Sequence, residues 1–78
     1  MTEYQVSINH TYDQLNKTAE KKITKISKDT NCKDIIVCDK SCQFIFDSIF
    51  DAEKFATTAR KIAGKKAWLI DSAIKMEL

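Results

Sequence analysis

The residue types in this chain that suit chemistry are cysteine, histidine and aspartate. Cys32, Cys38 and Cys42 together with His10 make up the donor set of a Cys₃His zinc site. Their spacing contains no close CxxC pair, and Cys38 and Cys42 stand inside apolar stretches. Small buried side chains explain these cysteines better than metal ligation does. We therefore expect no metal and no other cofactor.

A catalytic centre is equally hard to assemble from the sequence. His10 stands just before the first predicted helix, where a lone histidine is more often a surface or capping residue than a catalyst. Asp39, Asp47 and Asp71 end predicted strands or turns, where aspartate is common because its side chain bonds the local backbone. With Gly64 as its single glycine, the chain has no Gly-rich phosphate loop. We expect a protein that is not an enzyme.

Length and composition indicate one small domain over residues 1–78. Hydrophobic residues make up 44% of the chain and charged residues 31%, which suits a compact core with a solvated surface. The net charge of +2 creates no global field for nucleic acid or membrane, so a preference for either must come from local clusters. We expect no membrane span and no signal peptide. Cysteines without disulfide-framework spacing indicate reduced thiols, and hence a cytoplasmic location.

The apolar period alternates between the value of a strand and that of a helix, in the order β-α-β-β-α-β. The first predicted elements are a strand over 4–8 and a helix that starts at the capping-box spacing of Thr11 and Gln14. Strands over 35–38 and 42–46 follow, joined by a tight hairpin. A second helix is capped by Ser48 and stopped at Gly64, and a last alternating segment covers 68–78. That last segment, which puts Trp68, Ile70, Ile74 and Met76 on one face, is either one long strand or two short strands broken at Asp71.

These elements assemble into an α+β fold, a ferredoxin-like βαββαβ sandwich with a four-stranded antiparallel sheet and both helices on one face. We expect the first and third strands in the centre and the second and fourth strands at the edges. Phe44 and Phe46 should point at the helices, which leaves Ile45 on the open face of the sheet.

The segment Phe44–Lys66, FIFDSIFDAEKFATTARKIAGKK, resembles the third strand and second helix of RNA-recognition-motif domains. The spacing from Phe46 to the DAEK sequence and the Gly-Lys pair after the helix carry this resemblance. It implies the βαββαβ topology. The family's mode of RNA binding is not implied, because the positions that would stack bases are occupied by Ser41, Gln43 and Ser7.

Four lysines share one face of the first predicted helix. At about 100° per residue, Lys17, Lys21, Lys25 and Lys28 fall within about 80° of one another. They extend about 16 Å along the axis at about 1.5 Å per residue. Arg60 and Lys61 on the second helix widen the basic patch. Such a row suits a phosphate backbone or an acidic protein surface, although a helix also places its charges toward water for solvation alone.

Apolar residues on the open sheet face predict a second contact surface. Ile45 and Leu69 are expected on that face, and an uncovered apolar patch often marks an interaction site. The hairpin register decides whether Ile35 and Val37, or Ile36 and Cys38, join Ile45.

The edge strands predict a third contact surface. The second strand is short and apolar, and the fourth strand carries Ile74 and Met76. Exposed backbone at either edge can pair with another chain, as a partner protein or as a homodimer. The alternative is a tail that bends or frays beyond Asp71.

From these patterns we expect a small binding module that acts by protein–protein interaction. By analogy with small phage-encoded proteins that block host defence systems, a regulatory inhibitor is the kind of binding module that we expect. The alternative is electrostatic binding of nucleic acid, without sequence preference, along the lysines of the first helix.

Overall fold

A computed structural model of the chain describes residues 2–9 and 15–77. This part of the chain forms four strands, two α-helices and a 3₁₀ helix in an α+β arrangement. In chain order the elements are β1 (Thr2–Asn9), α1 (Lys17–Asp29), β2 (Asp34–Val37), β3 (Ser41–Phe46), α2 (Ile49–Ala63), the 3₁₀ helix (Gly64–Leu69) and β4 (Ile74–Glu77). None of the helices in residues 2–9 and 15–77 has the length and apolar character needed to cross a membrane.

The strands form one antiparallel sheet in the order β2-β3-β1-β4. The first and third strands are therefore central, and the second and fourth are edges, as predicted. Val6 pairs with Phe44 and Tyr4 with Phe46, which places these side chains on one face. The open face carries the alternate residues, among them Gln5 opposite Ile45.

The hydrophobic core lies between the sheet and both helices. The Phe55 ring of α2 is central to it, with its centroid 4.6 Å from that of Phe44 and 5.2 Å from that of Phe46. Ile23 of α1 and Val6 of β1 are fully buried in the same cluster. Both helices thus cover the same side of the sheet, and within residues 2–9 and 15–77 no helix lies on the other side.

Helix α1 begins later than the sequence predicts. Asn16 is its N-cap, and the side-chain oxygen of Asn16 accepts a hydrogen bond from the backbone N–H of Ala19 at 2.8 Å. The predicted start at Thr11 is therefore wrong, although residues 10–14 themselves lie outside the described residues. Helix α2 has Ser48 at its N-cap, and it ends at Gly64, whose φ of 61° a residue with a side chain rarely adopts.

The segment after Gly64 departs most from its predicted strand. Residues 64–69 coil into the 3₁₀ helix, Ile70 forms a single bridge with Ile8, and β4 starts only at Ile74, where it pairs with Gln5. The two paired positions, Gln5 with Ile74 and Ile8 with Ile70, are three residues apart on β1 but four residues apart on the later segment. The later segment therefore holds one extra residue. Consequently Ile70 is buried whereas Ile74 is 52% exposed on the opposite face, and the prediction that they share a face is wrong.

Candidate protein-binding surfaces

Ile45 lies on the open face as predicted, but it is only 5% exposed. The backbone N–H of Lys33 donates to the carbonyl of Ile45 at 2.7 Å, and the Lys33 ammonium group bonds a carboxylate oxygen of Glu3 on β1. The prediction that the Ile45 side chain is exposed is wrong.

Leu69 is also not part of an exposed surface. It is the last residue of the 3₁₀ helix and is buried in the core. The prediction assumed an extended backbone here, and the coil that follows Gly64 turns Leu69 inward instead. The two residues on β4 do lie on the open face, Ile74 opposite Gln5 and Met76, half-buried, opposite Glu3.

The β2 edge exposes two consecutive apolar side chains. Ile36 pairs with Gln43, which places it on the open face beside Ile45, and it is 43% exposed. Val37 pairs with Cys42 and therefore points to the helix side, yet it is 79% exposed. Helix α1 does not reach far enough outward to cover it. Strand β2 thus offers apolar surface on both of its faces.

A groove of 310 Å³ lies beside this edge, between α1 and the β2–β3 hairpin. Its floor is apolar, since the fully or nearly buried Ile8, Ile23 and Phe44 line it. The remaining lining residues form its two walls, Glu20 and Thr24 on the helix and Val37, Cys38, Ser41 and Cys42 on the hairpin.

The lysine stripe, defined as Lys17, Lys21, Lys25 and Lys28, is exposed along its whole length. All four residues belong to α1, so the helix places them on one face as the spacing predicts. The stripe is adjacent to the helix wall of the groove, because Lys21 lies one turn before Thr24 and Lys28 one turn after it.

Arg60 and Lys61 on α2 differ in their surroundings. The Arg60 guanidinium donates hydrogen bonds to the carbonyl of Ile70 at 3.3 and 3.2 Å and to the Ser72 hydroxyl at 2.9 Å. It is half-buried, and its charge is used to hold the chain between the 3₁₀ helix and β4. Lys61 is exposed.

The thiols of Cys32, Cys38 and Cys42 are free. Cys38 is exposed and the other two are half-buried. Burial raises the pKa of both Cys32 and Cys42, which favours their neutral form. Among residues 2–9 and 15–77 no group of potential ligands could hold a metal ion, and His10, the fourth member of the predicted set, lies outside this range.

The sequence identified the β2 edge as a contact surface, but not the groove beside it or the exposure of Val37 on the helix side. The available signal was the β-branched run over 35–37 in a strand predicted at an edge. How far a helix covers the sheet determines the exposure of Val37, and the sequence does not encode that distance in a local pattern. No protein-family model, curated protein or solved structure matches the chain.

Proposed function

We propose that the chain is a small, non-enzymatic binding module with a ferredoxin-like fold, which acts by protein–protein interaction at the edge of its sheet. The exposure of Ile36 and Val37 on the edge strand β2 carries this proposal. Covering apolar side chains removes them from water, and an incoming strand does so while it pairs with the edge backbone. The placement of β1 and β3 in the centre supports a ferredoxin-like fold.

Another polypeptide suits this surface better than a small molecule or a nucleic acid does. Backbone donors and acceptors at a strand edge match those of a second strand, and alternate side chains then provide specificity. Inhibition by occupying a partner's surface is the mode of action that we favour, by analogy with small phage-encoded regulators. A cytoplasmic location belongs to the proposal because an exposed free thiol such as Cys38 persists in a reducing compartment.

Affinity capture from the native cell lysate tests this function. The tagged protein is incubated with nuclease-treated lysate at low and at moderate salt. We expect a stoichiometric protein partner that survives both treatments and that Val37→Lys loses. Ile74→Lys is the matched control, because it adds the same charge to an exposed residue at the other edge. Recovery of nucleic acid alone, lost as salt rises, would contradict the proposal.

A second candidate function is electrostatic binding of nucleic acid along the lysine stripe. The exposure of all four lysines over α1 is the observation that favours it. Neutralising four phosphates predicts an affinity loss of about a hundredfold for a fourfold rise in salt concentration. Binding of a generic duplex should disappear when the stripe is changed to glutamine. Binding that survives these changes, or that does not depend on salt, would exclude this candidate.

A further inference from the structure

The groove and the edge of β2 lie side by side, so a single ligand can occupy both. Val37 belongs to both features, since its side chain lines the groove and its backbone forms the edge. The floor formed by Ile8, Ile23 and Phe44 is apolar and carries no charge. An apolar side chain is therefore the group that suits the groove.

The backbone groups of Val37 point away from the sheet. The Cys38 N–H donates to the Ser41 carbonyl at 2.8 Å, so the pair formed by residues 38 and 41 is hydrogen-bonded. Bonded and non-bonded pairs alternate in an antiparallel ladder, and Val37 is consequently a non-bonded position relative to β3. Its N–H and carbonyl face the outer side of β2, where they can pair with an added strand.

Asp34 restricts this edge. Its carboxylate accepts a hydrogen bond from the backbone N–H of Ile35 at 2.8 Å. Ile35 is two residues from Val37 and so presents its N–H on the same outer side. An incoming strand must displace the Asp34 carboxylate before it can bond this N–H, whereas the Val37 groups need no such displacement.

The lysine stripe determines which charge in a bound ligand is favourable. Relative to Thr24 in the groove wall, Lys17, Lys28 and Lys21 are rotated by about 20°, 40° and 60° toward solvent. Residues on the same face of an added strand, two positions before and after a central residue, are about 13 Å apart. Along the helix, Lys28 is about 10 Å from Lys21 and about 16 Å from Lys17. The strand spacing lies between these two lysine spacings, so two acidic side chains on the strand can each reach a flexible lysine of the stripe.

We propose that β2 and the adjacent groove bind an extended segment of a partner protein, in which an apolar residue is flanked two positions away on each side by acidic residues. The segment pairs antiparallel with β2. Its apolar residue lies opposite Val37 and therefore on the helix side, where it enters the groove. Its acidic residues face the lysine stripe and not the groove, because Glu20 lines the helix wall. This inference rests on the proposed protein-binding function and names its partner's chemistry.

A second copy of this chain suits the site less well. Pairing of β2 with β2 around a twofold axis would place the two α1 helices on the same side of the extended sheet. Their lysine stripes, each of four exposed side chains, would then face each other across the junction. Like charges that face each other repel, so the symmetric contact is disfavoured.

Selection from a display library of short random peptides tests the proposal. The immobilised wild-type protein should enrich peptides in which an apolar residue has an acidic residue two positions before it and another two positions after it. When an enriched peptide binds, the backbone amide of Val37 should become protected from hydrogen exchange. The backbone amides of Ile74 and Met76 should not gain protection. Neutral or basic peptides, peptides that protect β4, the absence of any enriched peptide, or self-association through β2 would each overturn the proposal.

Variants of β2 separate strand pairing from general contact. Val37→Pro removes only an outward N–H, and we expect about tenfold weaker peptide binding from the lost backbone hydrogen bond. Val37→Ala keeps that N–H and should retain more affinity. Val37→Lys, at a highly exposed position, replaces Val37→Pro as the test if the proline variant does not fold. Asp34→Ala frees the Ile35 N–H and should strengthen binding about fivefold. Unchanged peptide binding by Val37→Pro and Val37→Lys overturns the site.

The lysate experiment distinguishes the failure of this inference from the failure of the proposed function. If Val37→Lys and Val37→Pro still capture the wild-type partner, the protein is a binding module that uses another surface. If the wild-type protein captures no protein partner, the proposed function itself is wrong.

Discussion

The ammonium group of Lys33 lies 2.5 Å from a carboxylate oxygen of Glu3, a residue that is only 8% exposed. A second carboxylate, that of Asp47, lies 3.5 Å from the same ammonium. We predict that Lys33→Met lowers the urea midpoint of unfolding, because Glu3 then remains buried without its cation. Lys40→Met, at an exposed position in the hairpin, is the control and should leave the midpoint unchanged. Equal midpoints for both variants would contradict this role.

The same ion pair predicts a dependence on alkaline pH. Hydrogen bonding to Glu3, supported by the nearby Asp47, raises the pKa of Lys33 above its ordinary value. The stabilisation is therefore fully present below the ordinary lysine pKa and is lost as the pH rises through the raised pKa. The stability of the wild-type protein should fall in that window, and Lys33→Met should remove this part of the fall. Chemical denaturation at a series of alkaline pH values measures both. A Lys33→Met profile that keeps the wild-type fall would show that another group is responsible.

Truncation of two phenylalanines of α2 should change the unfolding free energy by very different amounts. Phe55 is fully buried between Phe44 and Phe46, and Phe55→Ala should cost about 3–5 kcal/mol of unfolding free energy. That loss is comparable to the whole stability of a small domain, so we expect a largely unfolded chain. Phe50 is 84% exposed, and Phe50→Ala should change the unfolding free energy by less than about 0.5 kcal/mol. Circular dichroism during thermal unfolding distinguishes the two, and similar losses would place the core elsewhere.

Ile45 and Ile36 form a second matched pair, on the open face. Ile45→Asp places a carboxylate where the side chain is almost fully buried, and we expect it to unfold the protein. Ile36→Asp places the same group on an exposed edge residue and should leave the fold intact while it weakens partner binding. Thermal melts and the peptide-binding assay are the measurements. A folded Ile45→Asp variant would mean that Ile45 is accessible after all.

The three thiols should react with an alkylating reagent in a defined order. The thiolate is the reactive species, and burial raises the pKa of Cys32 and Cys42. The exposed Cys38 should therefore be modified first at neutral pH, as mass spectrometry of the folded protein will show. A peptide bound in the groove, which Cys38 lines, should slow that reaction. Equal rates for Cys38 and Cys42 would contradict the order.

The strand pairing and the core face followed from local alternation. The spacing of Phe44 and Phe46 by two residues places both on one side of any strand, and the structure buries both against Phe55. Gly64 was predicted as a helix stop, and it ends α2 with a positive φ. Such features depend on a few neighbouring residues, so a sequence pattern predicts them.

Other features depend on a choice between equally good local signals. Thr11 and Asn16 are both favourable N-cap residues, and the structure uses Asn16. The apolar alternation over 68–78 satisfied a strand, but a 3₁₀ helix and an extra residue interrupt it. Tertiary packing decided these cases.

The candidate site depended on distances between elements. The sequence placed Ile45 on the open face, but its burial there depends on contacts between elements, which local alternation does not predict. It also left both registers of the hairpin open, and Val37 became a candidate only when the lateral extent of α1 was known.

The extra residue between Ile70 and Ile74 determines which side chains of β4 face solvent. Because side chains alternate, one inserted residue exchanges the inner and outer sets of the strand that follows it. Arg60 bonds the carbonyl of Ile70 and the hydroxyl of Ser72, and so holds the chain at this insertion. Deleting Ser72 should turn Ile74 inward, which amide exchange along β4 would reveal. The outward character of β4 is thus determined before the strand begins.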